Sequence, residues 1–277
     1  MTLAASKQLL PIYDKPMIYY PLGTLMLAGI RDILVISTPH DLPMFQRLLG
    51  EGAQFGVRLS YVAQLKPEGI AHAFHIGADW IAGDACALAL GDNVIFGARV
   101  SEALVAAAER ALQGEATVFG YRVSDPQRYG VVEFDESGRV LSIEEKPGRP
   151  RSDWAVIGLY FYDRRVCELA GDLTPSARGE LEITDLNRAY LELDALHVEQ
   201  LGRGCAWFDA GVPEALLQAS QFVQVMQDRQ GLQVGCPEEV GFRLGFLDAA
   251  RLRAQAASLG ETAYGRYLTE LADGKHG

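Results

Sequence analysis

The stretch DILVISTPHDLPMFQRLLGEGAQFGVRLSYVAQ, residues 32 to 64, decides the fold class. DILVIS (32 to 37) and LSYVAQ (59 to 64) have the length and β-branched, aromatic content of strands. Residues 42 to 50 between them place apolar side chains at three- and four-residue spacing, the period of a helix with one buried face. A strand, a helix and a second strand in that order form the unit from which parallel sheets are built.

The rhythm continues outward. ALALGDN (87 to 93), TVFGYRV (117 to 123), VVEF (131 to 134), VLSIEE (140 to 145), VIGLYFY (156 to 162) and HVEQL (197 to 201) read as strands. Residues 17 to 29, 71 to 82, 100 to 113, 164 to 171, 181 to 193 and 213 to 229 read as helices. The expected fold is α/β, a Rossmann-like mixed and mostly parallel sheet flanked by helices. VVEF-DESG-RVLSIEE breaks the alternation as a hairpin, its glycine suited to a positive φ. After Gly231 the pattern is helical only, so the division expected is an α/β domain over 1–230 and a C-terminal helical appendage over 231–277.

With 277 residues, 49% of them hydrophobic, the chain can bury a large core. Thirty-six acidic against 25 basic residues give a net charge of -11, which disfavours broad attraction to nucleic acid or an anionic membrane, so a bound phosphate must meet a local cluster of cations. Cys86, Cys167, Cys205 and Cys236 are scattered without a Cys-x-x-Cys pair and read as reduced residues rather than a zinc site. No apolar run approaches the ~20 residues of a membrane span, and a cytoplasmic protein is expected.

Common phosphate-loop, dinucleotide, serine-hydrolase and zinc-protease motifs are absent from the sequence. Other features carry chemistry. Asp92 in Gly91-Asp92-Asn93 follows a buried run, at the strand end where open α/β sheets bind ligands, although the tripeptide is equally an ordinary turn. Asp209 in WFDAG follows a short apolar run and serves as well as a helix-start residue. Two such aspartates would give a hard cation the oxygen ligands it prefers, which is Mg²⁺ chemistry.

Glu144-Glu145-Lys146-Pro147 is either a solvated strand end or a polar site. Arg178, ahead of an acidic helix start, is either a capping charge or, with Lys146, a grip on phosphate, for which its planar fork is suited. Gln64 could pair with the amide edge of a pyrimidine and Gly69 could admit backbone close to a base; a plain connection accounts for both as well. His72 has no Cys or His partner near it in that turn and reads as an ordinary helix-surface histidine.

The order of these features is the specific signal. SKQLLPIYDKPMIYYPL, then Gln-x-x-Pro-x-Gly-x-Ala, GDN, RYGVVEFD, EEKP, ARGELEITDLN and WFDAG resembles the sugar nucleotidyltransferases, in particular those that act on glucose 1-phosphate with dTTP, from residue 3 to about residue 245. The resemblance implies that Lys7 contacts nucleotide phosphates, that Gln64 and Gly69 recognise thymine, and that Asp92 and Asp209 hold Mg²⁺. It implies that Asn93, Gly130, Glu145 and Val156 line the hexose, that Lys146 and Arg178 grip the sugar phosphate, and that Tyr129 and Trp207 pack behind them. Lys7, Lys146 and Arg178 are the implied catalytic groups.

The implied reaction is attack by glucose 1-phosphate on the α-phosphorus of dTTP, giving dTDP-glucose and pyrophosphate for dTDP-sugar and polysaccharide synthesis. Positioning and charge neutralisation would carry it. A homotetramer and feedback inhibition involving Pro237–Arg243 are also implied. The family's first strand and its Gly-Gly-x-Gly-Thr-Arg-Leu loop would stand just before Thr2. Their absence from the sequence as given implies a sheet lacking its first strand and impaired turnover. The alternatives are therefore a sugar-nucleotide-binding protein without transfer, or a uridylyltransferase of the same fold. The sequence also departs from the family at His72, where glutamine is favoured, and at Ala210 and Val212, where threonines are usual.

Overall fold

A computed structural model describes residues 6–275, so the first residues of the resemblance and the last two of the helical tail lie outside the described residues. The chain forms two compact units: Met1–Ala63 with Gly91–Phe96 and Phe208–Gly277, and Gln64–Leu90 with Gly97–Trp207.

In the first unit the opening stretch is as read. Asp32–Ser37 and Arg58–Ala63 pair in parallel, in register from Asp32↔Arg58 to Ser37↔Ala63, with the helix Leu42–Leu49 crossing between them. Proline in the first turn of that helix and Gly50, at φ 54°, after its last turn set its ends. The helix Tyr19–Leu27 brings Leu22 and Met26 into one core with Ile33, Phe45, Leu49, Phe55 and Leu59. Ahead of it, Pro11–Ile12 and Lys15–Pro16 form a two-residue antiparallel hairpin not evident in the sequence. The helical tail is present as Pro237–Arg243, Ala249–Ser258 and Ala263–Ala272, the last two capped by Asp248 and Thr262 side chains on the amides of Arg251 and Gly265. It is grouped with the first unit rather than standing as a unit by itself.

A buried polar network ties that tail to the hairpin. Lys15 is only 2% exposed, and its ammonium donates to Asp14 at 2.6 Å, Gln227 at 2.9 Å and Gln233 at 2.7 Å. Gln227 returns a bond to Asp14 at 3.1 Å and accepts the Val234 amide at 3.0 Å. Burial pulls the Lys15 ammonium below its ordinary value, with Asp14 pulling it back up. Glu238 is held above the usual carboxylate range by burial, against the Tyr264 hydroxyl that donates to it at 2.5 Å.

The second unit is built on the strand Trp154–Tyr162, buried along almost all of its length. It pairs with Ala116–Arg122 on one side, and on the other with Cys86–Ala89 and, at Ala155↔Val131, with Gly130–Phe134. Gly130–Phe134 and Val140–Glu145 form the expected hairpin, and Leu196–Gln200 completes the sheet in parallel beside Ala116–Arg122. The mixed α/β class holds, but every pairing of Trp154–Tyr162 is antiparallel, so the parallel share here is smaller than strand and helix alternation implied. Alternation cannot tell a crossover from a strand that returns into the middle of the sheet.

Two further boundaries differ. The helix expected over 71–82 is interrupted at Gly77, giving His72–Ile76 and Ala78–Ile81. The run ALALGDN turns after Ala89, and Asn93–Phe96 becomes a separate strand paired with Ala206–Asp209.

Asp163, just past the strand Trp154–Tyr162, is a further buried ionisable group. Asp163 accepts from Arg165 Nε at 2.7 Å and from the Tyr190 hydroxyl at 2.8 Å. Burial alone would raise its carboxyl, but these donors outweigh burial and hold it below the ordinary value. A depressed carboxyl stabilises the fold above its unfolded pKa and loses that contribution as pH falls through the folded one.

Two outcomes follow. Lys15→Met should lower the unfolding free energy by about 2–3 kcal/mol, because it strands Gln227 and Gln233; denaturant titration measures it, and a loss under ~0.5 kcal/mol would show that the network does not hold the tail. Below about pH 4 the thermal midpoint should fall more steeply for the native protein than for Asp163→Asn, and parallel acid limbs would contradict the assignment.

Candidate active site

The first unit collects Lys7, Asp92, Asn93 and Asp209. The Asn93–Phe96 and Ala206–Asp209 strands meet so that the Ala210 amide donates to the Asp92 carbonyl at 2.9 Å, which sets the two aspartates at neighbouring strand ends. Lys7 lies in a short 3-10 turn, Lys7–Leu9, and its ammonium forms an ion pair with Asp92 Oδ2. The Gln8 side chain lies against Gly91, where a Cβ would meet its Cγ at 2.8 Å, so the lysine turn seats on the glycine before Asp92. Asp209 Oδ1 accepts the Gly211 amide at 3.2 Å. A methyl group on Gly211 would meet that oxygen at 3.0 Å and the Lys7 ammonium at 3.5 Å. The ammonium is paired to Asp92 and lies on the same side of Gly211 as the Asp209 carboxylate.

This arrangement fits a hard divalent cation. Asp92 and Asp209 stand at neighbouring strand ends, and among the described residues no group of three His, Cys, Asp or Glu side chains forms a complete cage. A cation held by two protein oxygens keeps positions for water and phosphate oxygens, as Mg²⁺ requires. Asn93 is 4% exposed and donates from its amide to Asp92 Oδ1 at 3.0 Å. In this structure it supports the carboxylate, and it belongs to the first unit rather than with the other hexose candidates.

The second unit brings Gly130, Glu145, Lys146, Val156 and Arg178 together. Gly130 pairs with Glu145 across the hairpin. A Cβ on Gly130 would meet Thr184 Oγ1 at 3.0 Å, Glu145 Oε2 at 3.5 Å and Val156 Cβ at 3.8 Å, so four residues share one cradle that only a glycine leaves open. Thr184 donates to Glu145 Oε2 at 2.6 Å. On the other carboxylate oxygen, Glu145 faces Lys146 at 3.4 Å and Arg178 at 3.6 Å.

Arg178 is oriented by Glu182, which receives its Nη2 on both oxygens at 2.8 Å. Burial would raise the Glu182 carboxyl, but Ser176 and Arg178 hold it below the usual range and so keep it an anion. Lys146 adopts φ 42°, a left-handed conformation uncommon for a side-chain-bearing residue, and its amide donates to the Tyr129 carbonyl at 3.0 Å. Trp207 packs edge-on against Tyr129 at 5.1 Å and Tyr121 at 5.8 Å between centroids, the packing role expected of Tyr129 and Trp207. Thr184 and Glu182, which contact Glu145 and Arg178, are not singled out by the sequence although both stand in the quoted ELEITD stretch. Their signal was a hydroxyl and a carboxylate at the start of an acidic helix, which capping explains equally well.

Gln64, Gly69 and His72 lie on the turn that docks beside this cluster. Gly69 has φ 100°, and a Cβ there would collide with the Leu181 backbone, reaching its nitrogen at 2.6 Å. Leu181 donates to the Glu68 carbonyl at 2.8 Å, and Ala71 donates to Leu181 at 3.2 Å. The close approach that Gly69 permits here is to Leu181. His72 is 19% exposed, with Gln64 Nε2 3.3 Å from its Nδ1 and Glu68 Oε2 3.2 Å from its Nε2, so the expected lone surface histidine is instead a bridge between two polar side chains.

A nucleotidyl transferase family model matches residues 1–225. The chain is 56% identical over 272 residues to the glucose-1-phosphate thymidylyltransferase of Xanthomonas campestris pv. campestris, covering 98% of this chain and 92% of that protein. The chain belongs to the nucleotidyl transferase family. It is also 52% identical to the glucose-1-phosphate thymidylyltransferase of Mycobacterium tuberculosis, covering 99% of this chain and 94% of that protein. Among solved structures it is similar, with TM-score 0.74 and 33% identity over 86% of this chain and 92% of that one, to a Bacillus anthracis protein assigned as a glucose-1-phosphate thymidylyltransferase in complex with a sucrose. A UDP-glucose pyrophosphorylase complexed with UDP-glucose shares the fold, with TM-score 0.69 at 24% identity over 79% of this chain and 90% of that one. Among the described residues no helix is long and apolar enough to cross a membrane.

Gly69→Ala combines a disfavoured φ with a backbone collision, and should lower the thermal midpoint by several degrees, about 1–3 kcal/mol. Gly138→Ala, also at positive φ but with open space around its Cβ, should cost less, and equal losses would deny the contact with Leu181 its role.

Proposed function

We propose that this protein is a glucose-1-phosphate thymidylyltransferase, transferring the thymidylyl group of dTTP to glucose 1-phosphate. The convergence of Gly130, Glu145, Lys146, Val156, Arg178 and Thr184 on one cradle supports the reading most, because it joins hydroxyl acceptors and donors to a cationic pair. The relatives named above carry that activity in their names.

In this reading a phosphate oxygen of glucose 1-phosphate attacks the α-phosphorus of dTTP, a new P–O bond forms, and the α–β bridging bond breaks to release pyrophosphate. Glu145 accepts sugar hydroxyls while Thr184 fixes its carboxylate. Gly130 and Val156 shape the face against the ring. Lys146 and Arg178 neutralise the sugar phosphate, and Glu182 aims the guanidinium so that its fork is set before the substrate arrives. Asn93 holds the Asp92 carboxylate through its amide. Lys7 offsets charge on the nucleotide phosphates, and Gln64, with Gly69 shaping its turn, reads the thymine edge. Asp92 and Asp209 would hold Mg²⁺, which when bound supplies charge neutralisation on the triphosphate. Binding without transfer is the less favoured reading, since the named relatives are transferases that match along 92% and 94% of their lengths.

Pyrophosphate release from dTTP and Mg²⁺ should depend on glucose 1-phosphate, and release indifferent to the sugar phosphate would sink the proposal. UTP in competition separates the thymidylyl from the uridylyl reading. Gly130→Ala fills the cradle and should raise KM for glucose 1-phosphate about tenfold or more while leaving KM for dTTP within about twofold. A larger change on dTTP would move Gly130 out of the sugar site.

A further inference from the structure

We infer that His72 is a positioning residue that holds the Gln64 amide in the orientation able to read a pyrimidine imide edge, and that protonating its ring disables that orientation. The inference rests on the reading of Gln64 as the base-recognising side chain.

The geometry assigns the protons. Glu68 Oε2 lies 3.2 Å from His72 Nε2. That is an ion-pair distance; the proton is placed by the Gln64 contact, because an amide nitrogen only donates, so Nδ1 must be the acceptor and the neutral ring carries its proton on Nε2. Gln64 Nε2 lies 3.3 Å from Nδ1 and donates one of its two hydrogens to it. The amide is then oriented: its second Nε2 hydrogen and its Oε1 form an adjacent donor and acceptor. That pair matches an imide, which offers a carbonyl oxygen beside an N–H, and mismatches a base whose ring nitrogen is an acceptor.

A doubly protonated ring has no acceptor. Its Nδ1–H opposes the Gln64 N–H, and the stable response is to turn the amide so that Oε1 faces the ring. The amide then offers a base only N–H donors, one of which meets the imide N–H. One hydrogen bond is lost and two donors confront each other.

The other groups facing this ring do not reproduce the effect. His75, on the same short helix, sits edge-on to His72 at 5.7 Å between centroids, and its Nε2 donates to the Ala170 carbonyl at 2.9 Å from the helix Val166–Gly171. That bond is available to both the neutral and the charged ring.

Calorimetric titration with dTTP between about pH 5.5 and pH 8 tests the inference without requiring turnover. Affinity of the native protein should fall about tenfold toward the acid end, while affinity for glucose 1-phosphate does not follow. His72→Gln supplies an amide oxygen that accepts the Gln64 hydrogen at every pH, so it should bind dTTP with only the shallow dependence that comes from protonation of the triphosphate. His75→Gln should keep the native profile. Identical profiles for the native protein and His72→Gln would overturn the inference, as would a His75→Gln profile that flattens in its place. Gln64→Ala separates the two layers. If it leaves dTTP affinity unchanged, the base-reading role of Gln64 fails. If it weakens dTTP while His72→Gln keeps the native pH dependence, only the role of His72 fails.

Discussion

The backbone bond that joins two strand ends, each carrying an aspartate, organises the polar cluster of the first unit. The Ala210 amide on the Asp92 carbonyl brings Asp209 to Asp92. The Lys7 ammonium is ion-paired to Asp92 and neutralises its charge. A lysine in that position is also what a nucleotide phosphate would meet.

The second unit solves the opposite problem, a cationic grip that must not collapse. Arg178 faces Glu145, Glu180 and Glu182, but only Glu182 holds it closely, on both oxygens. Glu145 is restrained in turn by Thr184, so its second oxygen stays beside Lys146 and Arg178 without closing onto them. The cradle next to them exists because residue 130 has no Cβ. The left-handed backbone at Lys146, where the hairpin strand ends, is the kind of local strain that a functional position tolerates.

Farther from the chemistry, the hairpin and the helical tail share a core of buried polar side chains. Lys15 loses water on burial and recovers three acceptors, two of them the amide oxygens of Gln227 and Gln233. Such a network is stable only when every member is paired, which makes each of its residues sensitive to replacement. It also ties down the chain next to Lys7. Met17 and Ile18, just past the hairpin, donate to Leu10 and Gln8, so the lysine turn is held from both directions.

By itself the sequence determined the strand, helix and strand unit over residues 32–63, the VVEF–VLSIEE hairpin, the helical tail and the order of motifs that marks the family. These are local properties: period, turn chemistry and identity along one line. Only the tertiary structure decided that Trp154–Tyr162 takes antiparallel partners on both sides, and that WFDAG contributes a strand. It also placed Asn93 on Asp92 and turned His72 from a surface residue into a bridge between Gln64 and Glu68. The strand pairings depend on which distant backbone fills the space opposite, while the Asn93 and His72 contacts are local but depend on side-chain directions, and periodicity carries no record of either. Lys15 shows the reason most plainly: nothing adjacent in sequence foretells a buried ammonium, because the oxygens that make its burial tolerable come mostly from the far end of the chain.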